Sequence, residues 1–591
     1  MRYLRFLAIT AALLFIAGCN TTSTTPESTS ATPALSVPTG QFNVRAFGAK
    51  GDGTTLDTVA INQAIDAAAA AGGGTVVFPA GNYLSFSIHL KSHVALYLDM
   101  GATIVAAEPP ADLSSGYDAP EPTTGSVPNV DQYEDFGHSH WHNSLIWGED
   151  LTDIAITGPG RIFGRGLSKG GGRRDYLPEE RAARAETART EPARTEAGTP
   201  ADGNYRIAFP LPESARAAIA AQKPGPFTYP GRDTLPAGVG NKAIALKNCR
   251  NVIFRDFTIY HGGHFGILAT GVQNWTCDGL NIDTNRDGID FDCCQNVRVS
   301  NCTVNSPYDD GICPKASFGL GRVMPSENIT ITNCQVSGFD EGTLLDGTRQ
   351  NKVMKGKGTG RIKLGTEANG GFRNLTVSNC VFESCRGLAL EEVDGGPMED
   401  ITITNLTMRD INNAPIYIRL GARLRGPAPI EIGTARRIKI SNVVAHNVAA
   451  EAGILIAGEP DHPVEDVTLT NIFIDFVGGG TKEQAAREVP MYEPARYPEP
   501  GRLGVMPGWG LFARHVKNIV FDRVELRTAQ PDYRPALHME DVTRAEFDHV
   551  RLGTTANVDS AHFKDVSELL ITNSPGLPDT NRRGKVADER L

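Results

Sequence analysis

One phrase limits what this chain can fold into more than anything else: a short β-branched strand, then Asn or Asp, then a second short strand. It occurs eleven times, as in NVRVSNCTV, NITITNCQV, NLTVSNCVF and DITITNLTM. The marker residues are Asp256, Asp278, Asn301, Asn333, Asn379, Asn405, Asn442, Asn471, Asp522, Asp548 and Asn573. Their spacings run 22, 23, 32, 46, 26, 37, 29, 51, 26 and 25, a base period of 22 to 26 with loops added in some turns. The spacing of 46 is wide enough for two turns of 23. Such a period built of short strands fits a parallel β-solenoid, in which each turn buries its apolar face only against its neighbours. Asn and Asp tolerate the left-handed backbone that a sharp corner between strands needs. Leucine-rich repeats share the period but require LxxLxL, and that pattern is absent. The expected fold is therefore all-β, a single-domain parallel β-helix over residues 41–575, followed by a C-terminal tail over 576–591.

The N-terminal end of the coil carries a helical signal. Ala60, Ile61, Ala64, Ile65 and Ala68 form one apolar face, Asp57 or Thr58 can cap its start, and Gly72-Gly73-Gly74 stops it. This is a short helix lying over the first turn. Three stretches fall outside the repeat and read as long loop insertions, about 106–143, 167–240 and 478–510. Long loops on a rigid solenoid often surround its site, and loops closing one end of a groove confine an enzyme to chain ends.

Counting forward from each corner locates the chemistry. Asp256 plus eight is His264, Asp278 plus nine is Asp287, Asn301 plus eight and nine are Asp309 and Asp310, and Asn333 plus eight is Glu341. Stacked on successive turns, these residues lie roughly 4.8 Å apart, as neighbouring strands do. Carboxyl groups that close cannot all ionise, so one keeps its proton beside another that does not. Asp-Asp and Asp-Gly also suit ordinary turns; the shared register of Asp287, Asp309 and Asp310 is what favours catalysis. The run His138-Ser139-His140-Trp141-His142 can bind metal only with an acid cluster beside it, and otherwise lines a groove. No metal or cofactor is expected.

Composition narrows the partners. A net charge of -11 and a pI near 5.7 argue against nucleic acid, which needs basic patches to displace phosphate counterions. Arg2 and Arg5 precede an apolar run ending in Ile16-Ala17-Gly18-Cys19, which reads as a signal peptide over residues 1–18. Its end resembles the lipobox of bacterial lipoproteins. That resemblance implies acylation of Cys19, anchoring through lipid alone, and an exported location facing the periplasm or on the outer membrane. Residues 19–40 are Ser/Thr/Pro-rich and fit a flexible tether. Cys302, Cys334 and Cys380 recur after Asn and are expected to stack as small buried residues. A monomer is expected.

The stretch NRDGIDFDCCQNVRVSNCTVNSPYDDGICPKAS resembles the polygalacturonases, glycoside hydrolase family 28, whose right-handed parallel β-helices hydrolyse α-linked galacturonate chains. FNVRAFGAKGDGTTLDTVAINQAI, AGGGTVVFPAGNY and ITGPGRIFG are also similar, so the resemblance runs from about Phe42 to Arg425. The family NxD motif falls on Asn285 and Asp287, its DD on Asp309 and Asp310, and its lysine after DD on Lys315. The resemblance implies that Asp309 is the general acid and that Asp287 and Asp310 activate the water that inverts the anomeric carbon. Carboxylates on adjacent turns lie nearer than the roughly 6.5–9.5 Å usual for inversion, so inversion comes from the resemblance and not from spacing. The family GHG is replaced by GFDEG or GTGR, without His. The register puts Ala389-Leu390-Glu391 where the family has Arg-Ile-Lys, whereas the literal Arg361-Ile362-Lys363 comes earlier. Alternation points Arg361 and Lys363 the same way, able to clamp a carboxylate or to form a solvated strand face. His264, Asn285, Lys315, Glu341, Arg361, Lys363, Glu391 and Arg419 are the candidate substrate contacts.

The implied function is hydrolysis of galacturonate-containing pectic chains, exo-acting, of polygalacturonase or rhamnogalacturonan galacturonidase type. The alternatives are a polysaccharide lyase on the same solenoid, needing Ca²⁺ and a Lys or Arg base, and a non-catalytic glycan-binding lipoprotein.

Overall fold

The computed structural model describes residues 40–121, 130–135, 137–169, 235–493 and 497–591. Cys19, the expected signal segment, the tether up to residue 39 and most of the 167–240 insertion lie outside the described residues.

From Gln41 onward the strands stack in parallel register, turn upon turn, into a β-helix. Val252, Trp275, Val297, Ile329, Leu375 and Ile401 follow one another in register and point into the coil, each at most 2% exposed. The same column continues through Ile438, Val467 and Ile519. The expected cysteine stack is present: Cys302, Cys334 and Cys380 are buried free thiols on successive turns.

The corners are left-handed, at Asp256 (φ 68°), Asn301 (φ 56°), Asn333 (φ 55°) and Asn379 (φ 55°). Three expected markers sit one residue early. Asp278 pairs with Arg255 and Ser300, so Gly279 (φ 69°) occupies that corner, and by the same register Arg523 and His549 replace Asp522 and Asp548. The Asp side chains instead accept hydrogen bonds from the next turn, as Asp278 does from Asn301 at 2.7 Å. Asn side chains continue this ladder, Asn405 to Asn379 at 2.9 Å and Asn471 to Asn442 at 2.7 Å. A second left-handed column at Asn251, Asn274, Asn296, Asn328 and Asn374 opens the same phrases. Alanine is not suited to this backbone, so Asn333→Ala is expected to cost about 1–2 kcal/mol in urea denaturation. Asn333→Gly is expected to cost less, since Gly keeps the conformation and loses only the ladder bond.

The spacing of 46 holds one turn, not two: Thr332 pairs directly with Ser378, and residues 338–360 form an excursion. The N-terminal helix, Thr58–Ala70, buries Ile61, Ala64, Ile65 and Ala68. Asp57 does not cap it. Its carboxylate accepts from the backbone N–H of Lys50 (2.7 Å) and Gly51 (2.9 Å), tying the preceding loop to the helix. The expected C-terminal tail is ordered too: Thr580–Arg590 pairs antiparallel with Ala561–Thr572, covering the edge of the last turn.

Candidate active site

The site lies at the start of a second sheet, made of Ile88–His89, Ile146–Glu149, Lys242–Lys247, Phe265–Thr270, Asp287–Asp292 and Ile312–Lys315. Ile267, Ile289 and Ile312 fix the register by packing into the coil interior. Asp287 opens its strand in line with Phe265, which packs with Trp141 and Leu268 in a separate cluster on the sheet's other side. Gly288 donates to the Asp310 carbonyl at 3.0 Å, setting the two strand starts side by side. Gly288 has no room for a side chain, because a Cβ there would lie 2.4 Å from the Gly311 carbonyl oxygen.

Asp287, Asp309 and Asp310 come together, one oxygen of each within 4.8 Å of the others. Asp309 sits one position earlier than Asp310 and its side chain is 24% exposed, while Asp287 and Asp310 are buried at 3% and 1%. Burial raises Asp287 well above the usual carboxylate range, and the charges of Asp290 and Asp309 add to the effect. Burial opposes ionisation of Asp310 as well, but Lys363 and Arg361 outweigh it and hold Asp310 well below the usual range. Lys363 Nζ lies 2.9 Å from Asp310 Oδ2 and Arg361 Nε lies 2.8 Å from Asp310 Oδ1. The Arg-Lys pair does clamp a carboxylate, and it is the protein's own. Arg286 closes on Asp309 from the exposed side. The three oxygens offer a cage for a cation, but the ammonium of Lys363 and the guanidinium groups of Arg361 and Arg286 already supply the positive charge there.

The register corrects two expected positions. Ile312 bridges to Ile362, so Arg361-Ile362-Lys363 lies on the turn directly after Asp309-Asp310, and Lys363 pairs in turn with Ala389. Glu341 is not stacked on Asp310. It belongs to the 338–360 excursion and accepts from Lys169 Nζ (2.7 Å), His261 (2.5 Å) and Asn285 Nδ2 (3.1 Å). Burial works to raise it, but Lys169 and His261 bring it down to about 2. Glu341 thus braces Asn285 instead of facing the three aspartates. His264 aligns one place before Phe265, beside Arg286 and not beside Asp287. Burial keeps its imidazole neutral, and its Nδ1–H donates to the Lys169 carbonyl at 2.9 Å.

The remaining candidates are held in ion pairs within the chain. Lys315 binds Glu367 at 3.1 Å and lies 3.5 Å from Asp290, and Arg419 binds Glu459 beneath the Tyr492 ring. Glu391 meets Arg361 at 3.4 Å, and burial pushes it up to about 7 against the pull of Lys363 and Arg361. His138, His140 and His142 turn to three different carboxylates, Asp290, Asp131 and Glu149, and do not converge on a metal.

Sequence reasoning missed Arg286, Asp290, Tyr497 and Glu499. Asp290 was within reach, since it alternates with the interior residues Ile289 and Phe291. Its charge is the largest influence on Asp287 after burial. Asp290→Asn removes that charge, so the Asp287 ionisation is expected to move to lower pH, and a pH–rate profile of the variant checks this by the acidward shift of one limb.

Coiled in this way, with an acid cluster on outer strand starts, the chain is a parallel β-helix. Residues 41–117 match the family described as rhamnogalacturonase A/epimerase, pectate lyase-like, and residues 237–353 match the right handed beta helix region. An exo-poly-alpha-D-galacturonosidase of Dickeya chrysanthemi is 26% identical over 430 residues, covering 66% of this chain and 65% of that protein. A mannuronan C5-epimerase of Azotobacter vinelandii is 37% identical over 137 residues, 20% of this chain and 14% of the epimerase. This chain therefore spans less than two thirds of either relative. Among solved structures, the family 28 exopolygalacturonase of Yersinia enterocolitica superposes with a TM-score of 0.56 at 20% identity, over 88% of this chain and 79% of that one, which establishes the shared fold.

Proposed function

We propose that the protein is a glycoside hydrolase of the polygalacturonase type that cleaves α-linked galacturonate-containing pectic chains from an end. One observation carries this reading: three carboxyl groups meet at one point, one biased toward its protonated form and one held as an anion. A stored proton and a fixed anion beside a third, solvent-facing carboxyl that can pass the proton on are what acid-assisted glycosidic cleavage requires. The similarity to the Dickeya exo-poly-alpha-D-galacturonosidase supports the substrate class and the mode of attack.

Asp309, the member open to solvent, donates a proton to the leaving glycosidic oxygen as the C–O bond breaks. Asp287 stores the replacement proton, since burial and Asp290 favour its protonated form. Asp310, fixed as an anion, stabilises the positive charge that develops on the anomeric carbon and orients the water whose oxygen bonds to it. The proton released by that water returns to the aspartate cluster. This division departs from the resemblance, which gives Asp287 and Asp310 the same task. Digestion of galacturonate oligomers followed by mass spectrometry tests the mode. Monosaccharide as the sole early product supports attack from an end, and a ladder of intermediate sizes refutes it. Acylation at Cys19 and export form part of the same reading, checked by fatty-acid labelling that Cys19→Ala abolishes.

A further inference from the structure

The insertion that ends in the run of histidines lays one of them against the strand that carries Asp287. His138 is 3% exposed and packs edge-on to Phe265, their ring centroids 4.7 Å apart. Its Nε2 lies 3.6 Å from Asp290 Oδ2. Neither ring nitrogen of His138 and neither oxygen of Asp290 makes a hydrogen bond, although Asp290 is fully buried. Buried polar groups are ordinarily hydrogen-bonded, and a buried carboxylate without a bond needs an opposite charge close by.

Among the described residues, nothing else beside Asp290 answers its charge in full. Lys315 stands 3.5 Å from it but bonds instead to Glu367 at 3.1 Å. Asp287 and the Cys313 thiol, both pushed toward their protonated forms by burial, offer no positive charge. The His138 ring also faces Asp292, and Glu134 of its own loop stands beside Asp292, so acids meet it from both elements. His264, which burial keeps neutral, and Lys242, held by Asn241 (2.6 Å) and Asn143 (3.3 Å), lie against the same Phe265 ring.

We propose that His138 is a positioning residue of the aspartate cluster: its imidazolium supplies the counter-charge that Asp290 lacks, and through Asp290 it governs how firmly Asp287 keeps its proton. With the imidazolium in place Asp290 opposes the Asp287 anion less, so Asp287 ionises at lower pH; with an uncharged group there it ionises at higher pH. This deepens the hydrolase reading and rests on it for the role of Asp287. In pH–rate profiles of the full chain on galacturonate oligomers, His138→Gln is expected to move the Asp287 limb to higher pH by about one unit, the order of effect a neighbouring charge exerts. In a chain already carrying Asp290→Asn, the same substitution is expected to leave the limb where Asp290→Asn alone puts it. A second measurement needs neither turnover nor a change at His138. NMR of the histidine-labelled full chain follows the His138 ring, whose titration is expected to fall by about one pH unit in Asp290→Asn, because an anion beside it is lost. A limb that His138→Gln leaves in place, equal shifts with and without Asp290, or a ring that titrates alike in both chains overturns the proposal. Absence of turnover with the ring shift present defeats the hydrolase reading and leaves the pairing of His138 with Asp290 supported.

Discussion

Asp309→Asn is expected to lower kcat on galacturonate oligomers by about 10²–10⁴-fold, the range that a positioned proton donor contributes. Thermal stability should change little, because the Asp309 side chain is 24% exposed and its partner Arg286 is 31% exposed, so neither is left as a buried lone charge. KM should move much less than kcat, since the donor acts as the leaving oxygen departs. Steady-state rates and a melting curve on the same preparation check both halves. A variant with unchanged kcat would remove Asp309 from the chemistry, whereas binding without turnover, unchanged by the substitution, would favour a binding protein.

Lys363→Met has the largest expected effect on stability. Lys363 and Asp310 are both 1% exposed, and removing the ammonium leaves the aspartate with Arg361 alone in a buried place. Breaking a buried pair from one side costs about 3–5 kcal/mol. Asp310 is depressed in the folded chain, so it contributes stability above the ordinary carboxylate pKa, and that contribution fades as pH falls toward the depressed value. Without Lys363 its folded pKa rises, so the contribution shrinks and its loss, which still starts at the ordinary carboxylate pKa, is complete at higher pH. Chemical denaturation at neutral and mildly acidic pH reads both effects. Equal stability of variant and parent at neutral pH would contradict them.

The coil was legible because its cause is local and repeated: a corner tolerated by Asn, flanked by alternating apolar residues, recurs often enough to be counted. The three aspartates followed from that count, although Asp256 and Asn301 stand on true corners while Asp278 stands one residue short of Gly279. The site's counter-charges were legible only in part. Arg361 and Lys363 share a face, as strand alternation requires, but sequence does not reveal that the carboxylate they clamp is Asp310. Glu341 was misplaced because the excursion over 338–360 breaks the count after Asn333. Glu499 and Tyr497 lie on an insertion with no periodicity, so only the folded chain brings them to Arg361 and Lys363.

The central claim is that Asp287, Asp309 and Asp310 together cleave a galacturonate linkage with water. The most direct measurement is digestion of a galacturonate oligomer in heavy-oxygen water, with mass spectrometry of the products. The account predicts saturated products carrying one heavy oxygen at the new reducing end, formed about 10²–10⁴-fold more slowly by the Asp309→Asn chain. Products with an unsaturated end and no heavy oxygen would contradict it and make the protein a lyase.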